Sequence, residues 1–375
     1  MKAAQGKEVL VSGASIAGLS TAYWLNQLGY RVTVVELADA PRPSGAAINV
    51  QGEALASARQ MRIFEQMKAN RLHLQRLDFQ NADDITEGST LFEDAAAAGD
   101  DLTEIEIERS KLVAILLEAL GGEVEFLFSN RITALRETTE AMEVTFSSGP
   151  TRAFALVFGC DGIHSGVRKL WFGHEQDYSH YLEHYASLTI VDALLLPENT
   201  AQLYNVPGKG IMLNAYQGKT DIIFWFYAEH EIAFDYRDAA RKQQIVESQF
   251  AGQGWRTTEL LEKVAQAGIS YFDKFCQIRM PSWTKGRVAL VGDAGYCASP
   301  AAGIGASLAM NGAAAVAQAL RAHDGDFAAA FQAYNHALRP FVEETQAAAL
   351  VMLDTFLIPK TEEAIRVRNA QTVPV

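Results

Sequence analysis

At 375 residues, 49% hydrophobic and 21% charged, the chain is long enough for roughly two domains and has the make-up of a soluble globular enzyme. A formal net charge of -13 leaves no basic face for nonspecific binding to nucleic acid or anionic lipid. Cys160, Cys276 and Cys297 show no Cys-x-x-Cys spacing, so they suggest neither a disulfide framework nor a zinc knuckle, and a reducing cytoplasm suits them.

In chain order, Val9 to Val11 is a short apolar strand, followed by the turn Gly13-Ala14-Ser15-Ile16-Ala17-Gly18. A segment with Ile16, Leu19, Tyr23 and Leu28 near helical spacing then ends at Gly29, and Arg31 to Glu36 is the next strand. This is a β-α-β unit, which favours a parallel sheet and a right-handed crossover. The glycine turn also breaks the N-terminal apolar stretch, against a signal-peptide core. Gly52 to Asn70 reads as helical, and residues 71–101 as irregular and acidic. Glu104 to Glu108 alternates as a strand before a helix over Ser110 to Leu120. Short strands follow near Val124, Ile132 and Val144, then a buried strand over Phe154 to Gly159. The pattern next changes to aromatic-rich strands, Tyr185 to Val191, Ile211 to Tyr216 and Ile222 to Tyr227, with helices over Arg241 to Phe250 and Thr257 to Ala267. Gly286 to Ala294 is a further buried strand. From Phe327 a long Ala-rich helix contains Pro340, which predicts a kink. The longest apolar run near the end, Ala347 to Leu353, is far below the roughly 20 residues of a bilayer span.

Three places carry chemistry. In the first turn Gly13 permits a tight bend, Gly18 close packing of helix on strand, and the free N-H groups of the helix start suit a pyrophosphate, with Ser15 in place of the usual middle glycine. A nucleophile elbow at Ser15 would need glycine where the chain has Ala17. Glu36 closes the second strand near the spacing at which a carboxylate accepts bonds from ribose hydroxyls. The second place, Cys160 to Arg168, begins where a buried strand ends, so Asp161 and Gly162 lie at the carboxyl edge of the sheet; a helix cap is the other reading of Asp161. Arg168 either pairs with a carboxylate near the ligand or caps a helix. The third is the run Gly292-Asp293-Ala294 with Pro300, Gly303 and Gly305, a buried strand delivering one carboxylate and a glycine-rich helix start to one point. Asp293 as a plain helix cap is its alternative, against which stands the cost of desolvating a carboxylate without partners. Two glycine-rich turns at opposite ends of the chain then describe the two ends of one dinucleotide, a flavin.

Other features carry less. His180-Tyr181-Leu182-Glu183-His184 matches the H-x-x-E-H spacing of zinc peptidases, which put both histidines on one helical face. Here an aromatic segment leads into a strand with no downstream acidic ligand, and no metal is expected. Cys160 and Cys297 flank motifs and are read as buried packing rather than as oxidation-sensitive thiols.

Together these segments resemble the class A flavoprotein monooxygenases, the family of para-hydroxybenzoate hydroxylase, and among them the short two-domain members such as the tetracycline-modifying enzymes. The resemblance spans nearly the whole chain. It rests on the first glycine turn with Glu36, the Arg109-x-x-Leu112 step, Asp161-Gly162 with Ser165 and Arg168, and Gly292-Asp293 with Pro300, Gly303 and Gly305. It implies that Gly13, Ser15, Ile16, Ala17 and Gly18 hold the pyrophosphate and Glu36 the adenosine ribose. Arg109 would lie along the phosphate and ribityl side, Asp161 would help bind FAD and the nicotinamide donor, and Asp293 would bond the ribityl or pyrophosphate region. Gly303, Gly305 and Ala306 would offer backbone N-H groups where negative charge gathers on the reduced flavin. Pro300 would floor the flavin beside the substrate, and position in the family's substrate hairpin singles out Leu213, Ile223 and Trp225. The chain departs from the pattern at Leu37, where relatives have an arginine whose charge Arg42 is placed to supply. Tyr296 and Gly312 replace the usual histidine and aspartate of the third motif.

The implied architecture is α/β. A Rossmann-like FAD-binding domain (1–70, 102–172 and 273–325) carries a second, mostly antiparallel β-sheet substrate domain (71–101 and 173–272), and a long C-terminal helix within 326–375 bridges them. The implied activity is an FAD-dependent monooxygenase using NAD(P)H and O2 to hydroxylate an aromatic or polycyclic small molecule through a flavin C4a-hydroperoxide. No protein base is expected, because the flavin carries the chemistry. No second dinucleotide-binding unit is visible, so NAD(P)H would bind transiently, with the loop Ser44 to Asn49 guiding a mobile flavin. The expected protein is cytoplasmic, a monomer or homodimer without nucleic-acid partner or transmembrane segment. A flavin reductase or dehydrogenase, or a non-catalytic flavin-binding protein, would share the scaffold.

Overall fold

The strand Glu8–Ser12 sits inside a six-stranded sheet whose spatial order is Thr284–Lys285, Val288–Leu290, Leu156–Gly159, Glu8–Ser12, Arg31–Val35 and Glu125–Leu127. All neighbours are parallel except the terminal Thr284–Lys285 pair. The central strands are buried along nearly their whole length, as a parallel sheet covered on both faces requires. A computed structural model describes residues 5–41, 45–92 and 102–370. The chain divides into two compact units, Met1–Arg71 with Thr103–His180 and Cys276–Ala347, and Leu72–Leu102 with Tyr181–Phe275 and Ala348–Val375. The α/β class, the Rossmann-like parallel sheet, the separate antiparallel sheet and the long C-terminal helix are all present as the sequence predicts.

In the first unit, register fixes where ligands can bind. Ser12 pairs with Val35 on one side and Gly159 on the other, and Gly159 pairs with Leu290. Four strands therefore end level, and the Gly13 turn, Glu36, Asp161 and Asp293 all follow at the carboxyl edge, where open α/β sheets hold their ligands. A two-stranded ribbon, Ala47–Gln51 with Glu104–Glu108, and a three-stranded antiparallel sheet, Ile132–Glu137, Met142–Phe146 and Arg152–Phe154, complete the unit. The helix predicted over Gly52 to Asn70 is two helices, Glu53–Gln60 and Phe64–Ala69, because Arg62 adopts φ +60 and breaks the ladder.

The second unit is built on a seven-stranded sheet in the order Tyr271–Ile278, Ser179–Val191, Lys219–Tyr227, Lys209–Tyr216, Thr200–Val206, Arg76–Gln80 and Thr86–Leu91. The last two strands correct the irregular reading over residues 71–92, and residues 93–101 lie outside the described residues. One face of the sheet packs Tyr185, Leu213, Ile222, Phe224 and Phe226 into a core closed by Ile245, Val246 and Phe250 of helix Ala239–Phe250 and by Leu260 and Val264 of helix Thr257–Ala267. Near the C-terminus, helix Glu362–Ala370 is anchored by buried Arg368, whose Nη1 donates to Asn205 Oδ1 at 2.7 Å and which lies over the Phe79 ring. Burial lowers this guanidinium to about 10, since the charged form loses solvation. The helix Phe327–Met352 continues through Pro340. Among the described residues, no helix is long and apolar enough to cross a membrane.

Candidate cofactor and substrate sites

The first turn is glycine-bound for steric reasons. A Cβ on Gly13 would stand 2.5 Å from the Cys160 carbonyl oxygen, and one on Gly18 would stand 1.8 Å from the Gly13 carbonyl oxygen. Helix Ile16–Gln27 therefore starts tight against the sheet. No side chain caps it at Ser15 and no acidic residue lies in its first turn, which leaves its N-terminal field and the Ile16 and Ala17 end open to an anion. Half-buried Glu36 ties this turn to the second strand: one carboxylate oxygen accepts from Ala14 N at 2.7 Å and the other from Ala38 N at 2.9 Å. The serine at position 15 has a partner that a glycine would lack, for Arg109 Nη2 donates to Ser15 Oγ at 2.6 Å. Arg109 is thereby brought to the helix start, 94 residues away in sequence. Arg42 lies outside the described residues.

Asp293 arrives at the same place. A Cβ on Gly292 would come within 3.0 Å of the Ala17 side chain, so only glycine lets this strand end approach the first helix. Asp293 is exposed, where the sequence predicts a buried carboxylate. The protein packed around it raises its carboxyl above the ordinary value, while the neighbouring Cys297 thiol and the Arg109 charge oppose the rise. Next along the chain, buried Ser299 has φ +84 and ψ 149, a region that is essentially glycine's, and its hydroxyl accepts from Ala301 N. The short turn Pro300–Ala302 and Gly303 follow, and then helix Gly305–Ala322 begins without a side-chain cap or an acidic residue in its first turn. Pro300, Gly303 and Gly305 are exposed, and Ala306 is buried just behind them.

Several residues of this region carry no sequence signal. Ser307 Oγ accepts from Gln51 N at 3.0 Å, pinning the strand Ala47–Gln51 to the start of helix Gly305–Ala322. On that strand Asn49 Oδ1 is buried with no hydrogen-bond partner among the described residues, an acceptor suited to a ligand donor. Gln346 Nε2 donates to the Ile278 and Cys297 carbonyls, and Gln277 Nε2 to those of Ala298 and Gln346. These two buried amides hold the backbone that leads into Ser299.

Asp161 stands behind the helix cap, which is Ser165, whose Oγ accepts from Arg168 N at 3.0 Å. The Asp161 carboxylate accepts from Ser165 Oγ and, at 3.0 Å, from Val167 N, closing the turn before helix Gly166–Trp171. Burial raises its carboxyl, and those bonds oppose the shift. Arg168 is fully buried: its Nη1 donates to the Ala294 carbonyl at 2.8 Å, behind the Asp293 turn, and its Nη2 pairs with the Glu175 carboxylate at 3.4 Å.

In the second unit, strand register sorts the substrate candidates. Leu213 pairs with Ile222 and belongs to the helix-packed core with no exposed surface, on the face opposite Ile223. Ile223 pairs with Met212 and Leu188, and these three are only half-buried on the opposite face, which Trp225 shares. His180 and His184 lie within strand Ser179–Val191; His184 is buried against Tyr227, with Nδ1 2.6 Å from the Leu182 carbonyl oxygen. Among the described residues no group of three or more His, Cys, Asp or Glu could hold a metal ion. All three cysteines are buried and unpaired by disulfide, and burial raises the Cys160 and Cys297 thiols.

The FAD binding domain family model matches residues 7–349. The chain belongs to the class A flavin-dependent monooxygenases. An uncharacterised protein of Mycobacterium tuberculosis (strain ATCC 25618 / H37Rv) is 36% identical over 348 residues, covering 91% of this chain and 92% of that one. A flavin-dependent monooxygenase from an unknown prokaryotic organism is 34% identical over 368 residues, covering 97% and 94%. The crystal structure of tetracycline destructase Tet(55) superposes with a TM-score of 0.85 at 32% identity, covering 97% and 94%. As a flavin-dependent monooxygenase the chain is an FAD-binding oxidoreductase, and its residues suit that cofactor. Two uncapped helix starts, Asp293 beside Arg109, and the unpartnered Asn49 oxygen match a group that is anionic at its centre and polar at its ring edge.

Proposed function

We propose that the chain uses NAD(P)H and O2 to hydroxylate, or otherwise insert one oxygen atom into, an aromatic or polycyclic small molecule. The observation that carries the reading is the convergence of the Ile16–Gln27 helix start, Arg109 and the Gly292-Asp293 turn at one sheet edge. FAD, when bound, supplies the hydride acceptance and oxygen activation that side chains lack. The residues of the chain bind and orient it. The uncapped helix start with Gly13, Ser15, Ile16, Ala17 and Gly18 would receive the pyrophosphate, and Glu36 the adenosine ribose. Arg109 and Asp293 would fix the ribityl side, and Gly303, Gly305 and Ala306 the pyrimidine edge of the ring. Asp161 would act through the turn it closes.

The second unit is the proposed substrate domain. Leu188, Met212 and Ile223 form a half-open apolar floor on the sheet face away from the helices, bordered by Trp225, which suits a planar body held by dispersion and desolvation. The likeness to a tetracycline destructase makes fused-ring phenols such as tetracyclines the first compounds to try. The test is donor oxidation with NADH and NADPH against phenols and polyketides under isotopically heavy dioxygen. Ligand-stimulated oxidation with one labelled oxygen in the product is expected. Donor oxidation by every ligand tried without label in any product would place the chain among flavin reductases and overturn the proposal.

A further inference from the structure

Glycine is a poor residue for a helix interior, yet Gly312 lies inside helix Gly305–Ala322. A Cβ there would stand 1.7 Å from the Tyr296 hydroxyl oxygen and 3.0 Å from its Cζ. The phenol of Tyr296 therefore occupies the space that a side chain at 312 would fill. Tyr296 ends the single turn Asp293–Tyr296 and is wholly buried, with its ring 4.6 Å from that of Trp283. Its hydroxyl is 3.0 Å from the hydroxyl of Tyr334, which is also 3.0 Å from the Leu290 carbonyl oxygen. Each phenol has one proton, so the chain is complete when Tyr296 donates to Tyr334 and Tyr334 donates to the carbonyl. Burial raises both phenols, which keeps both protons in place. Tyr334 comes from helix Phe327–Met352, fixed over the sheet by Phe331 against Phe158.

These contacts bracket Asp293, for Leu290 precedes it by three residues and Tyr296 follows it by three. We propose that Tyr334 and Tyr296 are positioning residues that clamp the turn presenting Asp293, and that glycine at 312 is the condition for that clamp. Tyr296 and Gly312, the two departures from the family pattern, meet at this one contact. The clamp also joins the Asp293 turn to the helix that begins at Gly305, so both elements assigned to the flavin are set by one buried contact. The proposal rests on Asp293 holding FAD.

The test is FAD titration of folded apoprotein variants. Tyr334→Phe should bind FAD about 5- to 10-fold more weakly, the loss of one hydrogen bond's worth of positioning, and shift the visible spectrum of the bound flavin. FAD binding and spectrum equal to the parent's would overturn the clamp. Gly312→Asp alone should abolish FAD binding, and Tyr296→His with Gly312→Asp should recover most of it; a double variant no better than the single would overturn the coupling even if Tyr334→Phe failed to fold. Asp293→Ala separates the two levels. If it keeps FAD, the assignment of Asp293 is what fails, whereas loss of FAD there with none in Tyr334→Phe refutes the clamp alone.

Discussion

Glu36→Gln tests the join between the first glycine turn and the second strand. Both carboxylate oxygens accept backbone N-H groups, from Ala14 at 2.7 Å and Ala38 at 2.9 Å. A carboxamide keeps one acceptor and turns a donor toward the other N-H. The surviving bond loses its charge assistance, and one half-buried N-H loses its partner. A bond to a charged group is worth about 1.5–3 kcal/mol and an unsatisfied buried donor costs about 1–3 kcal/mol. With half exposure softening both, the expected loss of apoprotein stability is about 2 kcal/mol. The same change weakens the acceptor offered to the ribose, for which FAD affinity should fall about 10- to 100-fold, at about 1.4 kcal/mol per decade. Urea unfolding of the apoprotein and quenching of flavin fluorescence on titration read the two effects separately. An unfolding midpoint and a Kd for FAD both unchanged from the parent would show that Glu36 holds neither the turn nor the nucleotide.

Leu213→Ala should lower stability by about 2–5 kcal/mol, as a cavity in a closed core does, and leave substrate selectivity alone. Ile223→Ala should do the reverse, moving KM across a substrate panel with little change in unfolding; both variants behaving alike would refute the division of the sheet faces. Burial holds the His184 imidazole below its usual range, so the folded state resists the proton that the unfolded chain accepts. Its contribution to stability is present above about pH 6.5 and is lost as pH falls through that value toward the lower folded one. Replacing it by phenylalanine should shrink the difference between urea midpoints measured above and below that pH, and an undiminished difference would discard this source of acid sensitivity.

What the sequence disclosed was local. The β-α-β unit, the spacing of Gly13 and Gly18 and the carboxylate after Gly292 are short-range patterns, and each has a short-range physical cause. The face of Leu213 was not legible, because Met212, Leu213, Ile222 and Ile223 are all apolar and a shift of one residue exchanges the faces. Strand Arg76–Gln80 forms a hairpin with Thr86–Leu91 and pairs on its other edge with distant Thr200–Val206, but the hairpin is mostly polar, so no apolar run marks it in the sequence. The amide pair Gln277 and Gln346 is separated by 69 residues and leaves no periodic trace. Asp161 is open to two readings because a strand-end aspartate is equally suited to a cap and to a ligand; in the structure it accepts from Ser165 and Val167 beside the Ser165 cap.

The central claim is that remote stretches of the chain meet at one sheet edge to hold a single FAD, with Asp293 as the contact from the C-terminal side. Titration of apoprotein with FAD, in the parent and in Asp293→Ala, tests it most directly. The account predicts saturation at one FAD per chain in the parent and loss of tight binding in a variant that keeps its circular dichroism spectrum. A parent that stays colourless, or a folded variant that binds as the parent does, would contradict it.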